Sequence, residues 1–374
     1  MPTVQPPTPS PAPAARLHVG AVLDMRADSP SDGPGRWQGA RLGVEMLNAG
    51  GGVLLPTGQR RELELVAYDS AGRDEVVARA TARLAETDGA LTVLADGRGD
   101  LEGIVRNRAE RLAIPVLLLD EPMPPPSEPA HWTFYLAPTD ADAMTVLVQF
   151  LANGVERVGW IAPRTATASA ARSVLVAEAA RTTIRVVAEE SYTAGGEPAP
   201  DAMARLAFAG AQAIVGWPAD LADAATLARL AAERAPGVTL YFGPVAAAPE
   251  FLPRVGEPPI GVRMIGPRLA VPDYLPSDDP QAAPIRQFLD AFRRRFGFTP
   301  SIQAAAAWDA VRLVAAAVQR SGADRARLRD ALERSEPFAG ASGPIAYSPA
   351  RHNGLDGGAF VVARAERGKW VLPP

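Results

Sequence analysis

Five carboxylates follow short apolar runs: Asp24 after Leu17 to Leu23, Asp96 and Asp100 after Leu91 to Ala95, and Asp120 with Glu121 after Ile114 to Leu119. If those runs are parallel strands, the acids lie beyond their carboxyl ends, where helix N-termini offer unpaired backbone N–H groups to a ligand. The loops concerned are Asp24 to Trp37, Asp96 to Asp100 and Asp120 to Met123. After a second set of runs come Pro163 to Ser169, Trp217 to Asp220 and Pro244 to Ala247. Acids in such loops suit a cationic or polyhydroxylated neutral solute, because an aspartate at a helix start repels an incoming carboxylate and can itself occupy the N-terminal N–H groups. Trp217, between Gly216 and Pro218, is an aromatic platform for a sugar ring, a cation or an apolar group, with packing against the following helix as the alternative. Arg164 can reach an anion, although a loop arginine is usually solvated. Trp37 lies on an apolar helix stripe, which favours core packing over ligand contact. For the acids taken singly the plainer reading is structural, with Asp100 as a helix cap and Arg98 paired with a neighbouring carboxylate.

Catalytic patterns are missing. His18, His131 and His352 are scattered and lack the i, i+4 spacing of a metal-binding helix. There is no Gly-x-Ser-x-Gly elbow, no P-loop and no Gly-x-Gly-x-x-Gly after an apolar run. The pairs Glu189-Glu190 and Asp278-Asp279 are adjacent, so in extended chain their side chains point to opposite sides. The chain has no cysteine, which removes disulfides, thiolate metal sites and cysteine nucleophiles together. With 42 acidic against 38 basic residues and a net charge of -4, nothing favours nucleic acid. The expectation is a non-enzyme without cofactor or metal.

The elements that position these residues alternate. A chain of 374 residues suggests two or three compact units, and short apolar runs alternating with helical periodicity put helices on both faces of a parallel sheet. Strands are expected at Leu17 to Leu23, Leu63 to Tyr68, Leu91 to Ala95 and Ile114 to Leu119. The helices between them carry Trp37 to Leu47, Val77 to Leu84 with Asp74 as the cap, and Leu101 to Leu112. A second series has helices at Asp140 to Asn153, Ser169 to Arg181, Asp201 to Ala209 and Leu221 to Arg234, with strands at Arg157 to Ala162, Ile184 to Ala188, Ala213 to Gly216 and Val238 to Phe242. The last of these is the last clear strand. A longer helix spans Ile302 to Arg320, and a tail of Pro344 to Tyr347 with Ala359 to Val362 reads as a hairpin. Met1 to Ala15 holds six prolines and no charge, an extended spacer. No stretch of ~18 uninterrupted apolar residues occurs.

The order of these elements and several local motifs resemble the type I periplasmic solute-binding proteins of the branched-chain amino-acid type, from about Leu17 to Lys369. The pieces are Val19-Gly20-Ala21-Val22, Gly39-Ala40-Arg41 with Asn48-Ala49-Gly50-Gly51-Gly52, Val66-Ala67-Tyr68-Asp69 and Ala113-Ile114-Pro115-Val116. They continue with Gly154-Val155-Glu156-Arg157-Val158, Phe242-Gly243-Pro244, Phe296-Gly297-Phe298-Thr299-Pro300, Ala307-Trp308-Asp309-Ala310-Val311 and Gly343-Pro344-Ile345-Ala346-Tyr347. The resemblance implies an α/β fold of two doubly wound Rossmann-like lobes joined by three crossovers, near Ala137, Gly266 and Phe338. Lobe 1 is then 17–137 plus 267–338, lobe 2 is 138–266 plus 339–374, and 1–16 is a Pro-rich tether. It further implies an extracytoplasmic monomer, lipid-anchored in its precursor, that closes on a small molecule and delivers it to an ABC permease. A ligand-sensing or scaffold lipoprotein of the same fold is the alternative.

Three usual contacts of that family to an amino-acid zwitterion are replaced. The Ser/Thr-rich turn for the ligand carboxylate reads Asp96-Gly97-Arg98-Gly99-Asp100. The tyrosine of the second lobe falls in Thr165-Ala166-Thr167-Ala168-Ser169, and the acid expected after Gly243-Pro244 is Val245. The expected ligand is therefore not a standard α-amino acid. The candidate binding residues are Asp24, Asp96, Arg98, Asp100, Asp120, Glu121, Arg164, Thr165, Thr167, Trp217, Asp220 and Val245.

Overall fold

The computed structural model describes residues 16–29, 31–121, 130–256, 261–334 and 336–373. The expected tether, apart from Arg16, and the Pro122 to Met123 end of one candidate loop lie outside the described residues.

The first half of the chain runs β1 (Leu17–Leu23), α1 (Gly33–Ala49), β2 (Val53–Leu54), β3 (Arg60–Arg61), β4 (Leu63–Asp69), α2 (Asp74–Glu86), β5 (Thr92–Ala95), α3 (Asp100–Leu112), β6 (Val116–Leu118) and β7 (Thr133–Tyr135). Strands β4-β1-β5-β6-β7 form one parallel sheet. All four residues of β5 are buried, as expected of a central parallel strand covered on both faces.

The chain continues through α4 (Asp140–Leu151), β8 (Arg157–Pro163), α5 (Ala166–Ala179), β9 (Arg185–Tyr192), α6 (Ala202–Phe208), β10 (Ala213–Gly216), α7 (Leu221–Arg234), β11 (Thr239–Phe242), α8 (Phe251–Val255) and β12 (Val262–Pro267). It ends in α9 (Ala282–Phe296), α10 (Ile302–Ser321), α11 (Arg325–Glu333), β13 (Phe338–Ala339), β14 (Pro344–Ile345), β15 (Phe360–Glu366) and β16 (Lys369–Val371). The second sheet has the order β16-β15-β12-β11-β10-β8-β9, parallel from β9 to β12 and antiparallel at β15 and β16. Counted along the chain, the parallel strands of both sheets stand in the order 2-1-3-4-5. In each sheet the order in which strands are added therefore reverses between the first and third strands, and that is where open α/β sheets leave a crevice for ligand.

Side-chain size sets the closest helix packing. A Cβ at Gly39 of α1 would lie 1.9 Å from the Ala304 carbonyl oxygen of α10, so only glycine lets these two helices touch. The alanine run Ala304 to Ala307 supplies the matching low surface, with Trp308 buried below it. Asp309, fully buried, accepts hydrogen bonds from the Ala341 N–H (3.0 Å), the Ser342 N–H (2.7 Å) and the Ser342 hydroxyl (2.6 Å), which fixes the turn between β13 and β14.

Several expectations change. Helix α5 starts at Ala166, not Ser169, because the Thr165 side chain caps it by accepting from the Ala168 N–H. Helix α2 takes Arg73 as its cap residue, leaving Asp74 as the first helical residue. Phe242 does not end the last strand, since β12 follows it. The tail is not a hairpin of Pro344 to Tyr347 with Ala359 to Val362. Instead β14 pairs with β13, and β15 joins the second sheet beside β12. Between them, residues 351–355 run beside β7 of the first sheet, with the Tyr135 N–H bonded to the His352 carbonyl (2.8 Å) and the Gly354 N–H to the Tyr135 carbonyl (3.0 Å). The pairs Glu189 and Glu190 point apart as expected, Glu189 to Arg172 of α5 and Glu190 to Arg205 of α6.

Candidate functional site

At the switch point of the first sheet, α1 folds back over the end of β1. A Cβ at Gly33 would lie 2.0 Å from the Asp24 carbonyl oxygen, so the helix can begin here only with glycine. Asp32 caps it, accepting from the Gly35 N–H (3.1 Å). One position on, Arg36 is 1% exposed and stitches the ends of β5 and β6 together. Its Nη1 donates to Asp96 (2.5 Å) and Asp120 (2.9 Å), and its Nη2 to Asp120 (2.7 Å) and the Leu119 carbonyl (2.9 Å). Asp96 also accepts from the Asp24 N–H (2.7 Å), which brings in the end of β1. Asp120 accepts from the Gly97 N–H (2.8 Å) and from Arg98 Nε (3.3 Å). The Asp24 carboxylate is held by Arg26, whose Nε and Nη2 donate at 2.8 and 2.6 Å.

The electrostatics follow from one guanidinium between two buried carboxyls. Burial pushes the Asp96 carboxyl up, against the opposing pull of Arg36. Burial also opposes ionisation of Asp120, but Arg36, helped by the Gly97 N–H and Arg98, outweighs it and holds that carboxyl below its ordinary range. Arg36 loses by burial and gains more from the two acids, so it stays charged. The Arg26 hydrogen bond lowers Asp24.

A second group spans the seam between the sheets. Glu121, after β6, accepts from the backbone N–H of Asp140 (2.9 Å), the first residue of α4. The Asp140 carboxyl accepts from Trp217 Nε1 (2.8 Å) at the end of β10. Trp217 is 3% exposed and stacks on Trp160 of β8 with ring centroids 6.3 Å apart. Burial first, and then the charge of Asp140, push Glu121 up to about 7; burial also raises Asp140.

The structure thus gathers Asp24, Asp96, Arg98 and Asp120 around Arg36, and Glu121 with Trp217 around Asp140. The other candidates stand apart from these groups. Arg164, after β8, turns to the Thr193 hydroxyl (2.7 Å) and Ser191. Thr165 is the α5 cap, and Thr167 is half-buried in the first turn of that helix. Asp220 is exposed and caps α7, accepting from the Asp223 N–H (2.8 Å). Asp100 is not a cap: it is the exposed first residue of α3, whose cap is Gly99. Val245 is half-buried in a turn after β11. Trp37 packs into the first-sheet core, with Arg41 5.2 Å above its ring. Arg36 and Asp140 were passed over at the sequence level, although three acids at adjacent strand ends demand a cation and Arg36 lies in the candidate loop Asp24 to Trp37. Two surface depressions, of about 460 Å³ at Leu55, Arg320 and Arg327 and of about 240 Å³ at Ala247, Leu252, Tyr274 and Trp370, contain none of the candidate acids.

Two doubly wound parallel sheets define an α/β fold of the binding-protein class, and comparison with known proteins agrees. The family described as periplasmic binding protein matches residues 16–369, and the chain belongs to that family. Among solved structures, a putative branched-chain amino acid ABC transporter protein from Rhodospirillum rubrum superposes with a TM-score of 0.79 at 22% identity, covering 96% of this chain and 100% of that one. An extracellular ligand-binding receptor from Rhodopseudomonas palustris HaA2 gives 0.76 at 19%, covering 96% and 100%. The branched-chain amino acid transporter substrate binding protein LivJ from Streptococcus pneumoniae, in complex with isoleucine, gives 0.74 at 18%, covering 95% and 98%. At these identities the likeness establishes the fold. Comparison with curated proteins finds no match. The expected type I fold and the solute-binding class are thereby established, and fold and family are those of extracytoplasmic binding proteins rather than enzymes. No helix among the described residues is long and apolar enough to cross a membrane, and no group of three or more metal-ligating side chains occurs among them.

Proposed function

We propose that the protein captures a small solute between its two lobes and delivers it to an ABC permease, and that this solute is not a standard branched-chain amino acid. Asp96 carries the reading. Where a hydroxyl-rich turn would receive a carboxylate, β5 ends in an acid already bonded to Arg36 and to the Asp24 N–H. Asp24 and Asp120 share its cluster, Glu121 and Asp140 form a second acidic group after β6 and at the start of α4, and these five carboxyls outnumber the three arginines Arg26, Arg36 and Arg98, all of which are engaged. An anionic ligand group meets net repulsion there, and an ammonium group finds Val245 where an acid is expected. A cationic or polyhydroxylated neutral solute fits the sign of the charge. The lobes follow 17–137 plus 267–338 and 138–266 plus 339–374, except that the pairing of residues 351–355 with β7 supports a third crossover between Leu355 and Phe360. We further propose that the protein acts as a monomer, lipid-anchored beyond its proline-rich segment.

A thermal-shift screen over amino acids, polyamines, amides and sugars tests the proposal. A ligand at 100 times its Kd stabilises by ~2.7 kcal/mol, which raises Tm by about 3–4 °C for a chain of this size. Micromolar binding of leucine or valine by calorimetry would overturn the ligand assignment. The internal pairing of Asp24, Asp96 and Asp120, together with the burial of Trp217, favours one second reading, a sensor or scaffold of the same fold without a transport role. A flat screen supports that reading.

A further inference from the structure

We propose that Glu121 and Asp140 form a proton-operated latch across the first connection between the sheets, held when Glu121 carries a proton and released when both carboxyls ionise. The latch rests on the proposed reading of two lobes that move about their connections. Glu121 belongs to the first sheet, three residues beyond β6. Asp140 opens α4, whose Ala143, Met144 and Leu147 pack in the same core as Trp160 and Trp217 of the second sheet. The contacts from Glu121 Oε2 to the Asp140 N–H and from Asp140 Oδ2 to Trp217 Nε1 therefore run continuously from one sheet to the other.

The charged groups around the pair are few. From the loop after β5 comes Arg98, whose Nε is directed at Asp120 and whose side chain is 55% exposed. From the end of β6 comes Asp120 itself, committed to Arg36. On α4, Asp142 is engaged in the capping box with Thr139. The element contributed by β10, Trp217, is uncharged. Among the described residues Arg98 is thus the one cation beside the two acids, and it is shared with Asp120. A protonated Glu121 keeps its acceptor oxygen on the Asp140 N–H. An ionised Glu121 adds a second half-buried negative charge next to Asp140, and separation of the seam lets water solvate both.

The sign follows from the raised acid. Burial and Asp140 push Glu121 up from 4.5 to about 7, so the contact state binds a proton that the separated state releases, and acid favours contact. If the separated state returns Glu121 to its ordinary value, the equilibrium shifts by ~80-fold as pH rises from 4.5 to 7, out of a limiting ~300-fold over a wider range.

The chain has no cysteine, so Arg79→Cys on α2 and Ser173→Cys on α5, both exposed, place one spin label on each lobe. Pulsed electron spin resonance between pH 5 and pH 8 should show two distance populations whose ratio changes with pH. That change should vanish in Glu121→Gln, which removes the titrating group, and should shrink in Asp140→Asn, which removes the neighbouring charge but leaves burial to raise Glu121. Two populations with a constant ratio, or a Glu121→Gln profile that titrates like the parent, overturn the latch alone. A single population at every pH in all backgrounds overturns the moving-lobe reading and the latch with it.

Discussion

Replacing Arg36 by methionine keeps most of the length and apolar bulk of the side chain and removes the cation that touches both Asp96 and Asp120. Removing one partner of a buried ion pair costs about 3–5 kcal/mol, because the other charge is left uncompensated. Asp120 retains the Gly97 N–H and Arg98, and Asp96 retains the Asp24 N–H, so neither is wholly abandoned. We therefore expect a loss of ~4 kcal/mol at pH 7. At ~2.1 cal/mol/K per residue the unfolding entropy of the chain is about 0.8 kcal/mol/K if both lobes unfold together, so Tm falls by about 5 °C. The pH dependence separates electrostatics from packing. In the parent, Arg36 outweighs burial at Asp120 and holds it low, so its stabilisation is present above the ordinary aspartate value and is lost as pH falls through the lower folded value. In Arg36→Met both carboxyls are raised and can be neutralised by mild acid, so the deficit against the parent narrows between pH 7 and pH 4.5. Arg36→Met combined with Asp96→Asn should recover roughly 1–2 kcal/mol of the loss. Urea denaturation of the four proteins of this cycle, at both pH values, is the assay. A deficit below ~1 kcal/mol at pH 7, or one that mild acid leaves unchanged, would refute the argument that Arg36 is present to neutralise the strand ends.

Asp309→Ala leaves the Ala341 N–H, the Ser342 N–H and the Ser342 hydroxyl without their buried acceptor, and should cost about 3 kcal/mol in denaturation midpoint terms, with Asp309→Asn losing less because it keeps one acceptor oxygen. Gly39→Ala forces α1 away from the Ala304 carbonyl and should cost at least ~2 kcal/mol, whereas Gly58→Ala, with nothing within 4 Å, should show only the penalty of its positive φ. Equal losses in the two glycine variants would contradict the helix-contact account.

The fold was legible wherever local chemistry marks an element. Helix α7 begins and ends where its pattern places it because Asp220 caps the start and the apolar stripe Ala224, Leu227, Ala228 and Ala231 runs unbroken. Strand β10 is four apolar residues between turns and matches its expected bounds. Strand β12 was passed over because Arg263 interrupts its apolar run; in the sheet that guanidinium lies 5.6 Å over the Tyr241 ring, an environment no local pattern announces. Helix α9 was not among the expected elements, although Ile285, Phe288, Leu289 and Phe292 stand at helical spacing and all are buried. The tail shows the remaining limit. The lack of helical periodicity and the flanking glycine turns mark Ala359 to Val362 as extended chain, but its partner is β12, about a hundred positions earlier in the chain, and strand pairing is decided by tertiary packing rather than by nearby residues.

The site was legible as a set of positions and much less as a set of roles. The rule that ligands gather beyond strand ends picked out Asp24, Asp96 and Asp120, and the structure does bring these three together. Yet an acid beside a cleft is either a hand held out to a solute or one half of an internal pair, and composition alone cannot distinguish them. What decides is whether a cation from another element reaches the same point, and Arg36 does so only because Gly33 lets α1 fold onto the Asp24 carbonyl. The same reasoning separates the two acid groups. Asp96 and Asp120 share one fully buried guanidinium, which makes them a brace for the first lobe. Glu121 and Asp140 are held chiefly by a backbone N–H and an indole N–H, neither of which carries a charge to balance theirs. The weakly compensated pair, rather than the braced one, is where an incoming cation or a proton would gain most, and under the proposed two-lobe reading it stands at the seam that hinge motion would open.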